Sequence, residues 1–193
     1  MPFADELPDE RVTVHPYNPR WAADASALAA ELRAVAPGGL AGEHIGSTSI
    51  EGLAAKNCLD MMIVVEDLAA TDVGESLAAV GYRRRREPWN TSEDGGGRSW
   101  PKMVFAPAAG QRAVNLHVRV AGSAPVRTAL LFRDHLRANP SRTAWWSELK
   151  ITAARHTNNL QEYGELKYPA WHLLMDLAEA WGRDTEWSEP TFR

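Results

Sequence analysis

The sequence predicts an α+β fold, α/β-like in its layering: a mixed sheet flanked by helices, with a helical lobe at the C-terminal end. Three observations carry this. Segments of helical and strand periodicity alternate through the first part of the chain. Two strand-like segments, about 101–106 and 112–120, flank Ala108-Ala109-Gly110 and read as a hairpin. From Pro125 onward the apolar spacing is helical. The expected organisation is a sheet domain over 12–122 and a helical lobe over 123–182, packed on it as one compact unit, with 1–11 and 183–193 loose.

Val12 and Val14 alternate with Thr13 and His15, as in a short strand. Asn18-Pro19 opens a helix, with proline at its first position, and Trp21, Ala25, Leu28, Leu32 and Val35 fall at helical spacing. Pro37-Gly38-Gly39 ends it. A small-residue turn follows, with one helical turn through Glu51 and then an apolar strand at 59–65. Thr71 caps a helix carrying Val73, Leu77 and Val80, and Gly81 stops it. Tyr82 to Arg86 reads as a strand with four arginines. Residues 88–99, polar and holding Gly95-Gly96-Gly97, read as a mobile loop. After the hairpin come helices with Ala129, Phe132 and Leu136, then from Ser141 to about Thr157, then from about Gln161 to Trp181 with Pro169 inside.

The 193 residues suit one domain, or one domain with a helical appendage, and 45% hydrophobic residues suffice for a sizeable core. A net charge of −4 argues against general nucleic-acid binding by bulk electrostatics. Only four of the 21 basic residues are lysine. The one cysteine, Cys58, excludes an internal disulfide and a cysteine zinc site. No signal-like or membrane-spanning apolar run is present, so a cytoplasmic protein without membrane association is expected.

The chemistry centres on Glu43-His44-Ile45-Gly46-Ser47-Thr48-Ser49 and Leu59-Asp60. Gly46 lets backbone approach a ligand, and the hydroxyls of Ser47, Thr48 and Ser49 suit phosphate contact. Asp60, at the head of a strand, suits a divalent cation bridging to the same phosphates. These two motifs, with Gly52-Leu53-Ala54-Ala55-Lys56 between them, resemble the GrpB family. Asn115-Leu116-His117-Val118, Leu131 to Arg137, Tyr163 and Lys167 agree, and the resemblance covers roughly residues 12–181. It implies a branch of the nucleotidyltransferase superfamily, whose members carry Gly-Ser, a gap and then Asp-x-Asp. Two departures stand out. Met62 occupies the second carboxylate's place, and Leu160 stands where the family usually has an arginine.

The resemblance implies catalytic roles for Asp60, His117 and Glu43, with Asp60 holding Mg2+ or Mn2+. It implies phosphate contacts from Gly46, Ser47, Thr48, Ser49 and Lys56, and from Arg133, Lys150 and Lys167, and Lys102, on the next strand, is a further candidate. Each has a plainer alternative. Asp60 can cap a turn or pair with an arginine, His117 can be structural, and the lysines and arginines can be solvated. Trp89 and Trp100 are candidates to stack on a base. Three functions are therefore open. The first is an enzyme that binds a nucleotide or phosphorylated substrate and transfers a nucleotidyl or phosphoryl group to a small acceptor. The second is a nucleotide- or anion-binding module with a degraded metal centre. The third is a non-nucleotide enzyme using His117 and Glu43.

Overall fold

The central strand β2 (Leu59–Val65) is apolar at every position after Asp60 because it is covered on both faces. The computed structural model describes residues 11–36 and 38–192. On one face Leu59, Met61, Ile63 and Val65 pack against Trp21, Ala25 and Leu32 of α1 (Arg20–Val35) and Val73 and Leu77 of α2 (Val73–Ala79). On the other face Met62 and Val64 meet Val126 and Leu130 of α3 (Ala124–Ala138). The mixed, helix-flanked sheet is thus as expected.

Strand order places the head of β2 centrally. β1 (Ala41–Ile45) runs antiparallel to β2, β6 (Val114–Val120) parallel to it, and β5 (Arg98–Ala106) antiparallel to β6. β3 (Arg83–Arg85) pairs with the end of β5, and β4 (Ser92–Gly95) with its start. The register sets Asp60 between Ile45 and Asn115, and Met62 between Glu43 and His117. Opposed residues share a face, so Asp60, Asn115 and His117 all look toward the helical lobe. That lobe is α3 with α4 (Pro140–His156) and α5 (Leu160–Asp184). Pro169 lies inside α5 without ending it.

Three local expectations are corrected. Residues 12–14 form no strand; His15 makes a single bridge to Ala55. The segment 88–99 is a short helical turn at Pro88–Asn90 followed by the β4–β5 hairpin. Gly96 and Gly97 both have positive φ, +60° and +78°, the requirement of a two-residue turn that matches strand twist. Glu93 anchors the hairpin: Arg119 donates to its two carboxylate oxygens at 2.6 and 2.8 Å, and Lys102 donates at 3.3 Å. Trp100 is committed there too, donating to Gly95 O under the stacked Arg98. Finally, residues 183–192 are not loose. Trp187 packs against Leu131, Met175 and Ala178, and its indole N–H donates to Asp134. The leader over residues 1–10 and the stop at Pro37 lie outside the described residues. No helix among them is long and apolar enough to cross a membrane.

Glu93→Ala is expected to lower unfolding free energy by about 2–3 kcal/mol, because it strands the buried Arg119 guanidinium. Urea denaturation checks this; a loss below about 0.5 kcal/mol would show that the pair does not hold the hairpin.

Candidate anion-binding site

The turn between β1 and β2 takes its shape from Gly46. Its φ of +67° and ψ of −170° suit glycine alone, and a Cβ there would fall 2.3 Å from Asp60 Oδ2. The backbone thus comes close to Asp60. Ser49 turns inward to donate to Gly46 O at 2.6 Å, and Thr48 Oγ1 meets His44 Nε2 at 2.9 Å. Burial, with Arg137 and Arg133 nearby, lowers the His44 pKa to about 4, so its ring is neutral.

The helical lobe then grips this loop by its backbone. Arg133 Nη1 donates to His44 O, and Arg137 donates twice to Ser49 O at 3.0 and 2.8 Å. Ser147 Oγ accepts from Ala54 N, and Lys150 Nζ donates to Ala54 O. Ile50 and Leu53 pack with Leu136 and Trp146 beneath these contacts.

Two joined cavities result. The smaller, about 150 Å³, is lined by Ser47, Thr48, Lys56, Asp60, Asn115, Lys150, Tyr163 and Lys167. The larger, about 970 Å³, lies between sheet and lobe and shares Ser47, Asp60 and Lys167 with the first. Gly46, His117 and Arg119 line its sheet side. Phe132, Trp146, Tyr168, Trp171 and His172 form an aromatic wall on the lobe side.

Burial sets the electrostatics. The Asp60 carboxyl is pushed up by desolvation, which outweighs the Asn115 hydrogen bond and the attraction of Lys56, Lys150 and Lys167. Burial, with repulsion from Lys167 and Lys56, lowers Lys150 to about 7 despite Asp60. Lys167 falls to about 8 by burial and repulsion from Lys56. His117 is held well below its ordinary value by burial, Arg119 and Lys102. The Asn115 amide N–H2 donates to Asp60 Oδ1 at 3.2 Å and meets His117 Nε2 at 2.9 Å. The amide hydrogens are donors, so His117 Nε2 accepts and the proton sits on Nδ1, which has no hydrogen-bond partner among the described residues. Burial raises the Tyr163 hydroxyl pKa, and that oxygen also lacks a partner there.

These contacts separate the candidates. Ser47, Thr48, Lys56, Asp60, Lys150 and Lys167 converge on the small pocket, and Gly46 and His117 line the adjoining cleft. Glu43 and Arg133 are not in either lining, because Arg133 donates to Glu43 at 2.7 Å and also holds Asp134. Lys102 is spent on Glu93, and the Ser49 hydroxyl on Gly46 O. Of the arginine run, Arg83 is bound to Pro107 O and Arg85 to Glu87. Tyr168 and His172 reach the site without any prior sign; a ring triplet at 168, 171 and 172 on one helix face was the available signal.

The residues present do not suit a two-metal magnesium centre. Met62 gives no oxygen, and the Asn115 amide stands between Asp60 and His117 with its donors facing both. No group of three or more His, Cys, Asp or Glu able to hold a metal exists among the described residues.

Known proteins place this geometry. The GrpB protein family profile matches residues 11–176. The chain is 34% identical over 174 residues to a UPF0157 protein of Halalkalibacterium halodurans, covering 88% of this chain and 83% of that one. It is 31% identical over 211 residues to a protein named dephospho-CoA kinase from Mycolicibacterium paratuberculosis, covering 97% of this chain and 52% of the kinase. The chain therefore spans about half the length of that relative. None of its four lysines follows a glycine, so the Gly-Lys of a P-loop is absent here. The crystal structure of GrpB from Enterococcus faecalis superposes with TM-score 0.73 at 24% identity, covering 88% of this chain and 99% of that one. The Cid1 poly(U) polymerase matches with TM-score 0.50 at 15% identity, over 79% of this chain and 48% of that one. The fold is nucleotidyltransferase-like.

Gly46→Ala is expected to cost roughly 3 kcal/mol, against about 1 kcal/mol for Gly52→Ala, which has φ +79° but nothing within 4 Å of the added methyl. Equal costs in urea denaturation would show that Asp60 yields freely.

A pH dependence follows from the lysines. The unfolded chain holds their protons up to about pH 10.5, whereas the folded chain releases them from about 7 and 8. The unfolded state thus binds more protons in that window, and stability rises with pH by up to about 1.4 kcal/mol per unit per lysine. Melting between pH 7.5 and 9.5 should show this rise, and Lys150→Met should flatten it; an unchanged slope would refute the assignment.

Proposed function

Because this chain belongs to the GrpB family, with a nucleotidyltransferase-like fold, we propose that it binds a nucleotide or similar phosphorylated small molecule between sheet and lobe. The phosphate occupies the lysine-lined pocket, and the base or other flat group lies along Phe132, Tyr168 and Trp171. One observation carries this reading: Ser47, Asp60 and Lys167 belong to both cavities, so the cationic pocket adjoins the aromatic cleft. A cleft of this volume suits a coenzyme-sized ligand.

Transfer of a nucleotidyl or phosphoryl group is the second reading. It is favoured by the place of Asp60 at the head of β2 beside the Gly46-Ser47 turn, in a fold shared with a polymerase. The lysine charges would stabilise the phosphoryl oxygens as charge develops on them. Ionised Asp60 would take the proton of the acceptor hydroxyl as its oxygen bonds to phosphorus and the leaving phosphate departs.

Thermal shift with ATP, UTP, AMP, CoA and dephospho-CoA, each with magnesium or with EDTA, tests binding. A ligand at about 100 times its Kd adds roughly 2.7 kcal/mol, or about 5–10 °C for a chain of this size. At least one compound should shift the melt; none doing so at millimolar concentration would overturn the reading. Release of pyrophosphate or of nucleoside diphosphate from a binding nucleoside triphosphate, with the modified acceptor formed in step, tests transfer to alcohol acceptors.

A further inference from the structure

We propose that Lys56, Lys150, Lys167 and the Tyr163 hydroxyl form a metal-independent seat for one phosphate group, so that the ligand is a phosphomonoester rather than a metal-bound triphosphate. This rests on the reading that the cleft takes a phosphorylated ligand.

The first argument is where lysine occurs. The chain uses arginine for most of its 21 basic positions and has only four lysines. Three of the four line one pocket, reached from a loop, from α4 and from α5. The fourth is held under Glu93. A compact ammonium with three rotatable donors suits a small closed space better than a planar guanidinium.

The second is that donors there lack partners. Lys150 is 2% exposed and spends one N–H on Ala54 O, leaving two. Tyr163 is 1% exposed, lines the same pocket, and its hydroxyl has no hydrogen-bond partner among the described residues. A buried hydroxyl without a partner is costly unless something binds it. Lys167 Nζ lies 4.1 Å from the centre of the Tyr163 ring, so the two act at one place.

The third is charge and size. With the three lysines protonated, as a bound anion would favour, and Asp60 ionised, the pocket carries a surplus of two positive charges, and a phosphomonoester carries about −1.5 to −2 at neutral pH. The 150 Å³ pocket is about five times the roughly 30 Å³ of a water molecule, enough for the phosphorus and four oxygens of a single phosphate. The depressed basicity of Lys150 and Lys167 fits a pocket built for an anion that restores their charge. On this reading Asp60 is the counter-ion of the lysines and competes with the incoming phosphate.

Calorimetric titration with AMP, adenosine and inorganic phosphate tests the proposal, in EDTA and in magnesium. AMP and phosphate should bind equally well in both. Lys167→Met should weaken AMP tenfold or more and leave adenosine unchanged. Tyr163→Phe should weaken AMP severalfold while the unliganded protein melts no lower, since the hydroxyl has no partner to lose. Asp60→Asn should tighten AMP binding; a metal ligand would act in the opposite sense. Binding that needs magnesium, weaker AMP binding in Asp60→Asn, or equal loss of adenosine and AMP in Lys167→Met would each overturn the seat. If ATP with magnesium binds but AMP and phosphate do not bind in EDTA, the seat falls and the proposed function stands. If phosphate binds in EDTA but no nucleotide or coenzyme binds, the seat stands and the nucleotide reading falls.

Discussion

The site depends on a missing side chain. Gly46 passes so close to Asp60 that a methyl group would overlap its carboxylate. That approach crowds one side of a half-buried Asp60, whose carboxyl pKa is pushed up by desolvation. A larger residue at 46 would push the turn away from the carboxylate. Glycine's role here is to let the turn lie against an acid whose nearest opposite charges are the lysines.

The helical lobe is the second requirement. Three of its side chains, Arg137, Ser147 and Lys150, hydrogen-bond to backbone atoms of the 46–56 loop. Arg133 adds a contact to His44 O while paired with Glu43. Lys150 therefore has two duties, holding the loop and charging the pocket. Separating sheet and lobe would exchange these hydrogen bonds for water, a net loss of about 0.5–1.5 kcal/mol each.

What was legible in the sequence was local. The apolar run of β2, the Gly-Ser turn and the helical spacing after Pro125 each report on neighbours within a few residues. Long-range pairing was hidden. Glu43 and Arg133 look like separate ligands until a contact across 90 positions joins them. Lys102 and Arg119 look available until Glu93 folds over both. The hairpin was hidden for a different reason: three glycines among polar residues resemble a mobile loop, yet two of them supply the positive φ of a tight turn. Lys56, Lys150 and Lys167 were each visible as candidates, but nothing in their spacing shows that they meet.

Their meeting changes what the superfamily resemblance means. A nucleotidyltransferase centre uses carboxylates to gather cations, and the cations then gather phosphate. Here one carboxylate is kept, its strand neighbour is Met62, and an amide occupies the gap toward His117. The positive charge comes from side chains instead. Fixed ammonium groups do the electrostatic work of a metal on phosphate oxygens but impose no octahedral geometry and need no chelating triphosphate. On the proposed reading the same backbone turn would serve two chemistries, setting where phosphate lies, while the residues around it set whether a metal must come with it.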